Sequence, residues 1–130
     1  MLILTLRTDK PEAEMSLFED GQELHVITWQ AHRELAETIH LKLAELLEAQ
    51  QHSLADIQGI VIYKGPGSFT GLRIGLSVAN ALAYGLKTPI IGTTGEAWIQ
   101  NGVDKLQAGA NDQVSLPEYG ALPHITPQKK

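Results

Sequence analysis

The chain has no cysteine, which excludes disulfide staples and thiolate chemistry. Aromatic residues are scarce, at 5%. Base is outweighed by acid: 10 Lys and Arg against 15 Asp and Glu leave a net charge of −5. A direct grip on RNA or DNA rests on a basic stripe, so this chain is a poor candidate to hold nucleic acid alone. Its longest mostly apolar stretch, Ile74 to Leu86, falls short of the roughly 20 residues of a membrane-spanning helix. The start, Met1-Leu2-Ile3-Leu4-Thr5-Leu6, lacks the basic region and the length of a secretory signal. A cytoplasmic protein is the expectation. Metal-hydrolase spacing is missing as well. Arg33 follows His32 and Leu41 follows His40, so neither histidine heads a His-Glu-x-x-His motif. His25, His52 and His124 are scattered, and no catalytic, metal or cofactor residue is assigned.

What is present suits one folded unit. A chain of 130 residues, 43% hydrophobic, has enough apolar material for a single core. Leu2 to Leu6 reads as a central strand. Glu14 to Glu19 and Gln22 to Trp29 flank Asp20-Gly21, a strong hairpin signal. A helix follows over His32 to Gln50; Leu35, Ala36, Ile39, Leu43, Leu46 and Leu47 form its apolar stripe. Leu41 lies off that stripe among Glu34, Glu37, Glu45 and Glu48. Ser53-Leu54-Ala55-Asp56 has the form of a capping box. Ile60 to Tyr63 is a continuous apolar run, as in a strand covered on both faces. A second helix is expected from Thr70 to Leu86, and Pro89 to Gly92 as a short strand. Thr93 and Glu96 read as the capping box of a third helix ending at Asn101-Gly102. The order β-β-β-α-β-α-β-α gives an α/β fold with a mixed sheet, the pattern of a ribonuclease-H-like or actin-like lobe. That lobe is placed at residues 1–102. Residues 103–130, with Pro117, Pro123, Pro127 and the basic end Lys129-Lys130, read as an extended tail.

Gly65-Pro66-Gly67-Ser68-Phe69-Thr70-Gly71 joins the fourth strand to the second helix. A strand-to-helix turn with free N–H groups can hold phosphate. The Walker motif, however, needs lysine after its last glycine, and here Leu72 stands there. Gly71 also comes one residue late for Gly-x-Gly-x-x-Gly. A tight turn, with Ser68 or Thr70 capping the helix, explains the same residues.

The second helix is apolar over most of its circumference. Gly71, Gly75, Ala79 and Ala83 recur every fourth residue; Ile74, Val78, Leu82 and Leu86 fill the adjoining face, with Leu72 and Leu76 on the other side. Only Arg73, Ser77, Asn80 and Tyr84 are polar. Such a helix must be covered nearly all round. Either the first helix and the tail suffice, or another protein covers it, and the second reading is favoured. The small-residue side then takes the partner: Gly71, Arg73, Gly75, Ala79 and Ala83, with Leu41 on the first helix. A bulky residue at Gly75 or Ala79 is expected to abolish pairing and leave the fold intact.

The run Gly65-Pro66-Gly67-Ser68-Phe69-Thr70-Gly71-Leu72-Arg73-Ile74-Gly75 resembles the TsaB (YeaZ) family. So do His32-Arg33-Glu34-Leu35, Ser53 to Ile57 and Thr93-Thr94-Gly95-Glu96-Ala97. The similarity covers roughly residues 1–101. These are dimerisation subunits of the bacterial tRNA threonylcarbamoyladenosine complex. The resemblance implies a non-catalytic cytoplasmic scaffold, a catalytic partner of the TsaD type, and the ATPase TsaE as a third component. It also implies pairing through the first two helices, with TsaD or a second copy, and contact with tRNA only through the complex. The family's Asp-Thr-Ser at the end of strand one is replaced by Arg7-Thr8-Asp9. Pro117-Glu118-Tyr119 is similar to the family's C-terminal Pro-x-Tyr stretch; with the family's second lobe missing or reduced to the tail, a shortened one-lobe form is expected. Two other functions compete: a nucleotide-using actin-like enzyme with phosphates on the Gly65–Gly71 turn, and a plain homodimer with an unrelated regulatory role.

Overall fold

Leu2–Arg7 (β1), buried along its length up to a half-buried Arg7, lies in the middle of a sheet. A computed structural model describes residues 1–118; Tyr119, Pro123, His124, Pro127 and the Lys129-Lys130 end lie outside the described residues. β1 pairs antiparallel with Glu12–Glu19 (β2), which pairs antiparallel with Gln22–Gln30 (β3). The turn between β2 and β3 is Asp20-Gly21, both at positive φ (53° and 83°), the geometry that suits two-residue hairpins. On its other side β1 pairs in parallel with Gly59–Tyr63 (β4), and β4 with Ile90–Thr93 (β5). The five-stranded sheet has the order β3-β2-β1-β4-β5.

Leu35–Ala49 (α1) follows a 3-10 turn at His32–Glu34. Phe69–Leu86 (α2) joins β4 to β5, and Trp98–Gln107 (α3) comes last. The order is the one expected from the sequence. α1 packs on β2 and β3, with α2 beside it on β1, β4 and β5. α3 covers the opposite face of β4, where Gly102 lies on Val61 and Leu106 on Gly59. The core between these layers includes Leu4, Leu6, Met15, Ile39, Leu46, Ile60, Ile62 and Leu72, all essentially inaccessible. Ala36, grouped with the apolar stripe of α1, is exposed instead. Ser53 and Asp56 do form a capping box, on a 3-10 turn at Leu54–Asp56.

Four local expectations are corrected. Asn101-Gly102 does not end α3, which runs on to Gln107, past the boundary placed at 102. Gly102 is there for contact: a Cβ would stand 2.4 Å from a Val61 methyl. Thr93 and Glu96 form no capping box. Thr93 ends β5, and its hydroxyl donates to the Trp98 carbonyl at 2.8 Å. Neither does Ser68 cap α2 through its side chain.

The fourth correction concerns the row of small residues on α2. Gly75, Ala79 and Ala83 are buried inside the molecule, and Gly71 is half-buried. What comes close to the glycines is the chain's own β1 end. A Cβ on Gly75 would meet Thr8 Oγ1 at 2.1 Å, and one on Gly71 the Thr8 carbonyl at 2.0 Å. Thr8 Oγ1 donates to the Gly71 carbonyl at 2.7 Å. Small residues let a helix sit tightly on something; periodicity does not say whether that something belongs to the same chain.

Two glycines of α2 separate packing from propensity. Gly75→Ala is expected to lower stability by about 1–3 kcal/mol through overpacking. Gly85 has nothing within 4 Å of a Cβ, and Gly85→Ala is expected to raise stability by up to about 1 kcal/mol, the helix preference of alanine. Urea denaturation of both variants checks this; the reverse ranking would show that Thr8 does not restrict α2.

Candidate docking face

The end of β1 is closed by an ion pair. Arg7 Nε donates to Asp9 Oδ1 at 2.7 Å and its Nη2 to Oδ2 at 3.2 Å. The guanidinium lies 3.9 Å from the centre of the Tyr63 ring, whose edge meets Trp98 with centroids 5.9 Å apart. The hydrogen bonds to Asp9 raise the Arg7 pKa above its ordinary value, against the pull of burial. Asp9 is therefore held by its own cation. No group of three His, Asp or Glu side chains converges to hold a metal among the described residues.

The same carboxylate faces the glycine turn. A Cβ on Gly67 would stand 2.3 Å from Asp9 Cβ, and Ser68 N donates to the Asp9 carbonyl at 3.2 Å. Tyr63 Oη donates to the Pro66 carbonyl at 2.9 Å. The Asp9 side chain fills the space beside Gly67. Tight-turn duty accounts for its glycines: Gly65 takes φ of +126°, and a Cβ there would collide with the Glu118 carbonyl.

After α3 the chain returns along the open edge of β5. Asp112 N donates to the Ile90 carbonyl (2.8 Å), Asn111 Oδ1 accepts from Ile90 N (3.1 Å), and Asp112 Oδ2 from Gly92 N (2.9 Å). Asn80 of α2 clasps this strap from the side: its Nδ2 donates to the Ser115 carbonyl at 2.9 Å, and its Oδ1 accepts from Ser115 N at 2.8 Å. Glu118 N donates to the Lys64 carbonyl at 2.7 Å. Asn80, read from the sequence as part of a polar strip, is half-buried by this duty.

Between α1 and α2, facing away from the sheet, runs a trough of three adjoining cavities. The first, about 160 Å³, is lined by Lys10, Leu35, Thr70 and Ile74 among others. Thr70 and Ile74 also line the second, about 570 Å³, with Ala36, His40, Arg73 and Val78. His40 is shared with the third, about 730 Å³, whose walls include Leu43, Ala44, Leu47, Leu54 and Leu82. Of the residues singled out in the sequence, Arg73 lines this trough and Gly71 reaches its upper end. Leu41 is 64% exposed but does not line it; Gly75, Ala79 and Ala83 face the sheet. The residues missed are those of the α1 wall: Ala36, His40 and Ala44. Their four-residue spacing was a usable signal, alongside the Ile74, Val78 and Leu82 row of α2.

The family model for "TsaD: tRNA N6-adenosine threonylcarbamoyltransferase" matches residues 26–108. The chain belongs to this family. Within it, the chain is 34% identical over 119 residues to the tRNA threonylcarbamoyladenosine biosynthesis protein TsaB of Escherichia coli, covering 83% of this chain and 49% of that protein. It is 31% identical over 108 residues to the tRNA N6-adenosine threonylcarbamoyltransferase of Geotalea daltonii, covering 71% of this chain and 32% of that enzyme. The solved structure of YeaZ from Pseudomonas aeruginosa superimposes with a TM-score of 0.68 at 26% identity, covering 84% of this chain and 50% of that one. These likenesses support the TsaB resemblance read from the glycine turn. The chain spans about half the length of the TsaB relatives it matches.

Two substitutions test the closed strand end and the strap. Arg7→Ala leaves Asp9, 8% exposed, without its cation and is expected to cost about 2–4 kcal/mol; a urea midpoint equal to wild type would show that the pair contributes nothing. Asn80→Ala removes both bonds to Ser115. Hydrogen exchange at the Ser115 amide is expected to accelerate at least about tenfold, with the β1 and β4 amides unchanged. Equal acceleration throughout would mean that the strap does not open independently.

Proposed function

We propose that this chain is a non-catalytic scaffold subunit in tRNA threonylcarbamoyladenosine synthesis, pairing with a TsaD-type catalytic subunit that threonylcarbamoylates the adenosine beside the anticodon. The observation that carries this reading is the trough between α1 and α2. Leu43, Leu47, Leu54, Ile74, Val78 and Leu82 line it together with polar residues such as His40, Glu48 and Arg73; it is open to solvent and lies on the face away from the sheet. The family membership supplies the context. A non-catalytic role draws support from the Arg7–Asp9 pair, which occupies with a neutralised acid the strand end where actin-like enzymes hold a metal–nucleotide. Net charge of −5 fits a subunit that meets tRNA only through its partner. A TsaE-type ATPase would join through the assembled complex, and a homodimer would use the same helices. No helix among the described residues is long and apolar enough to cross a membrane; a cytoplasmic location is part of the proposal.

The docking residues proposed differ from the small-residue row: the candidates are Arg73, with Ala36, His40, Ala44, Ile74, Val78 and Leu82 around it.

Size-exclusion chromatography with light scattering tests the pairing. Mixed with the threonylcarbamoyltransferase subunit of the same organism, the chain is expected to co-elute at the summed mass of one copy of each. Separate elution at micromolar concentrations would refute the scaffold reading. Titration calorimetry of the lone chain with ATP and magnesium is expected to be flat; micromolar binding would instead favour the nucleotide enzyme.

A further inference from the structure

The strap along β5 is inside out. Val114 is 58% exposed, Ser115 3% and Leu116 71%. An extended segment that packs for stability turns its apolar side chains inward and its polar ones to water. Here the two apolar side chains face solvent and the serine faces the protein. Among residues 111–118 only Ser115 is buried and only Pro117 is half-buried, so no large apolar side chain anchors the strap.

The inward serine does not anchor it through its hydroxyl either. Ser115 Oγ is buried and has no hydrogen-bond partner among the described residues, a state that weakens whatever conformation contains it. It sits in a niche made by Gly92: a Cβ there would stand 2.0 Å from Ser115 Oγ and 3.0 Å from Lys64 Cδ. Gln113, two residues earlier, takes φ of +67°, a left-handed conformation unfavourable for a residue with a β-carbon.

Hydrogen bonds therefore hold the strap. Asp112 N and the Asn111 and Asp112 side chains bind β5, Asn80 clasps Ser115, and Glu118 N binds the Lys64 carbonyl. Asn111 and Asp112 are exposed, so water competes for their bonds and each one contributes little net stability. Segments with few buried apolar contacts and solvent-exposed bonds open without global unfolding.

We propose that residues 111–118 form a latch, which leaves the sheet as a unit while the five strands stay folded and so bares the edge of β5. With the latch open, Ile90 N–H, Ile90 C=O and Gly92 N–H face water as a strand edge that an extended backbone can pair with. Gly109 is the hinge: it is exposed, at φ of +90°, with nothing within 4 Å of a Cβ. The latch also grips α2 through Asn80, so opening releases that flank of the helix. The Ser115 hydroxyl sets the balance, because it weakens the closed state without touching the core. None of this depends on the scaffold reading.

Native-state hydrogen exchange of the full chain at increasing urea tests the latch. The amides of Ile90, Gly92, Asp112, Ser115 and Glu118 are expected to exchange as one set, with one shallow urea dependence, at least about tenfold faster than those of Leu4 and Ile62. Ser115→Ala, which removes the unpaired hydroxyl, is expected to slow the whole set at least about fivefold and leave Leu4 and Ile62 within about twofold of wild type. Val114→Ser with Leu116→Ser is expected to change the set by no more than about twofold, because both side chains already face water. Exchange of Ile90 and Gly92 only together with Leu4 and Ile62 would overturn the proposal, since β5 would then be bared only by global unfolding. Faster exchange in Ser115→Ala would overturn it too, by showing that the hydroxyl holds the strap closed. So would a large acceleration in the double serine variant, by showing that the apolar side chains do.

Discussion

The close seating of α2 on the end of β1 is the constraint from which the rest of the architecture follows. Thr8 pushes its hydroxyl and carbonyl into space that a β-carbon at Gly75 or Gly71 would occupy. The bond from Thr8 Oγ1 to the Gly71 carbonyl fixes the first turn of the helix against the strand. With α2 drawn down at that end, Leu72, Leu76, Ala79 and Ala83 reach the sheet. The Ile74, Val78 and Leu82 row is turned sideways toward α1, half-covered. The trough exists because the glycines let α2 sink: the residues that do not touch the outside world decide which ones can.

The same closeness changes the chemistry of the strand end. β1 delivers Arg7 and Asp9 beside the glycine turn, where the acid is neutralised by its neighbour and packed against Gly67. An ion pair half-shielded from water is modest as a source of stability, but removal of either member leaves a charge without its partner. The strap from Asn111 to Glu118 closes the neighbouring edge, supplying side-chain acceptors to β5 amides that would otherwise be open to another strand. Polar groups close one end and one edge of the sheet, and the trough lies on the helix pair, away from both.

Much of the fold was legible because its signals are local. Asp20-Gly21 names its own turn, Ser53 and Asp56 name their own cap, and the apolar run Ile60 to Tyr63 announces a strand buried on both faces. The misses arose where a local signal was outvoted by packing. Gly102 follows asparagine, a usual way to stop a helix, yet it continues α3 because contact with Val61 requires a residue without a side chain. Thr93 and Glu96 have capping-box spacing, yet β5 extends through Thr93 and its hydroxyl turns to Trp98. The four-residue recurrence of Gly71, Gly75, Ala79 and Ala83 correctly signalled a close approach and wrongly assigned it to a partner. Arg73 was picked out together with the small-residue row; Ala36 was placed on the buried stripe, and His40 and Ala44 were passed over, because no single helix shows that they face another.

The sequence by itself determined the order of strands and helices, the family, and which side of α2 must be crowded, since each is written in short-range spacing and residue type. Only the tertiary structure decided what does the crowding. Thr8 lies 67 positions before Gly75 in the chain and reaches it through the parallel pairing of β1 with β4, a contact that periodicity along one helix cannot express. The outward trough is a property of two helices placed side by side, so it came into being when the sheet fixed their separation.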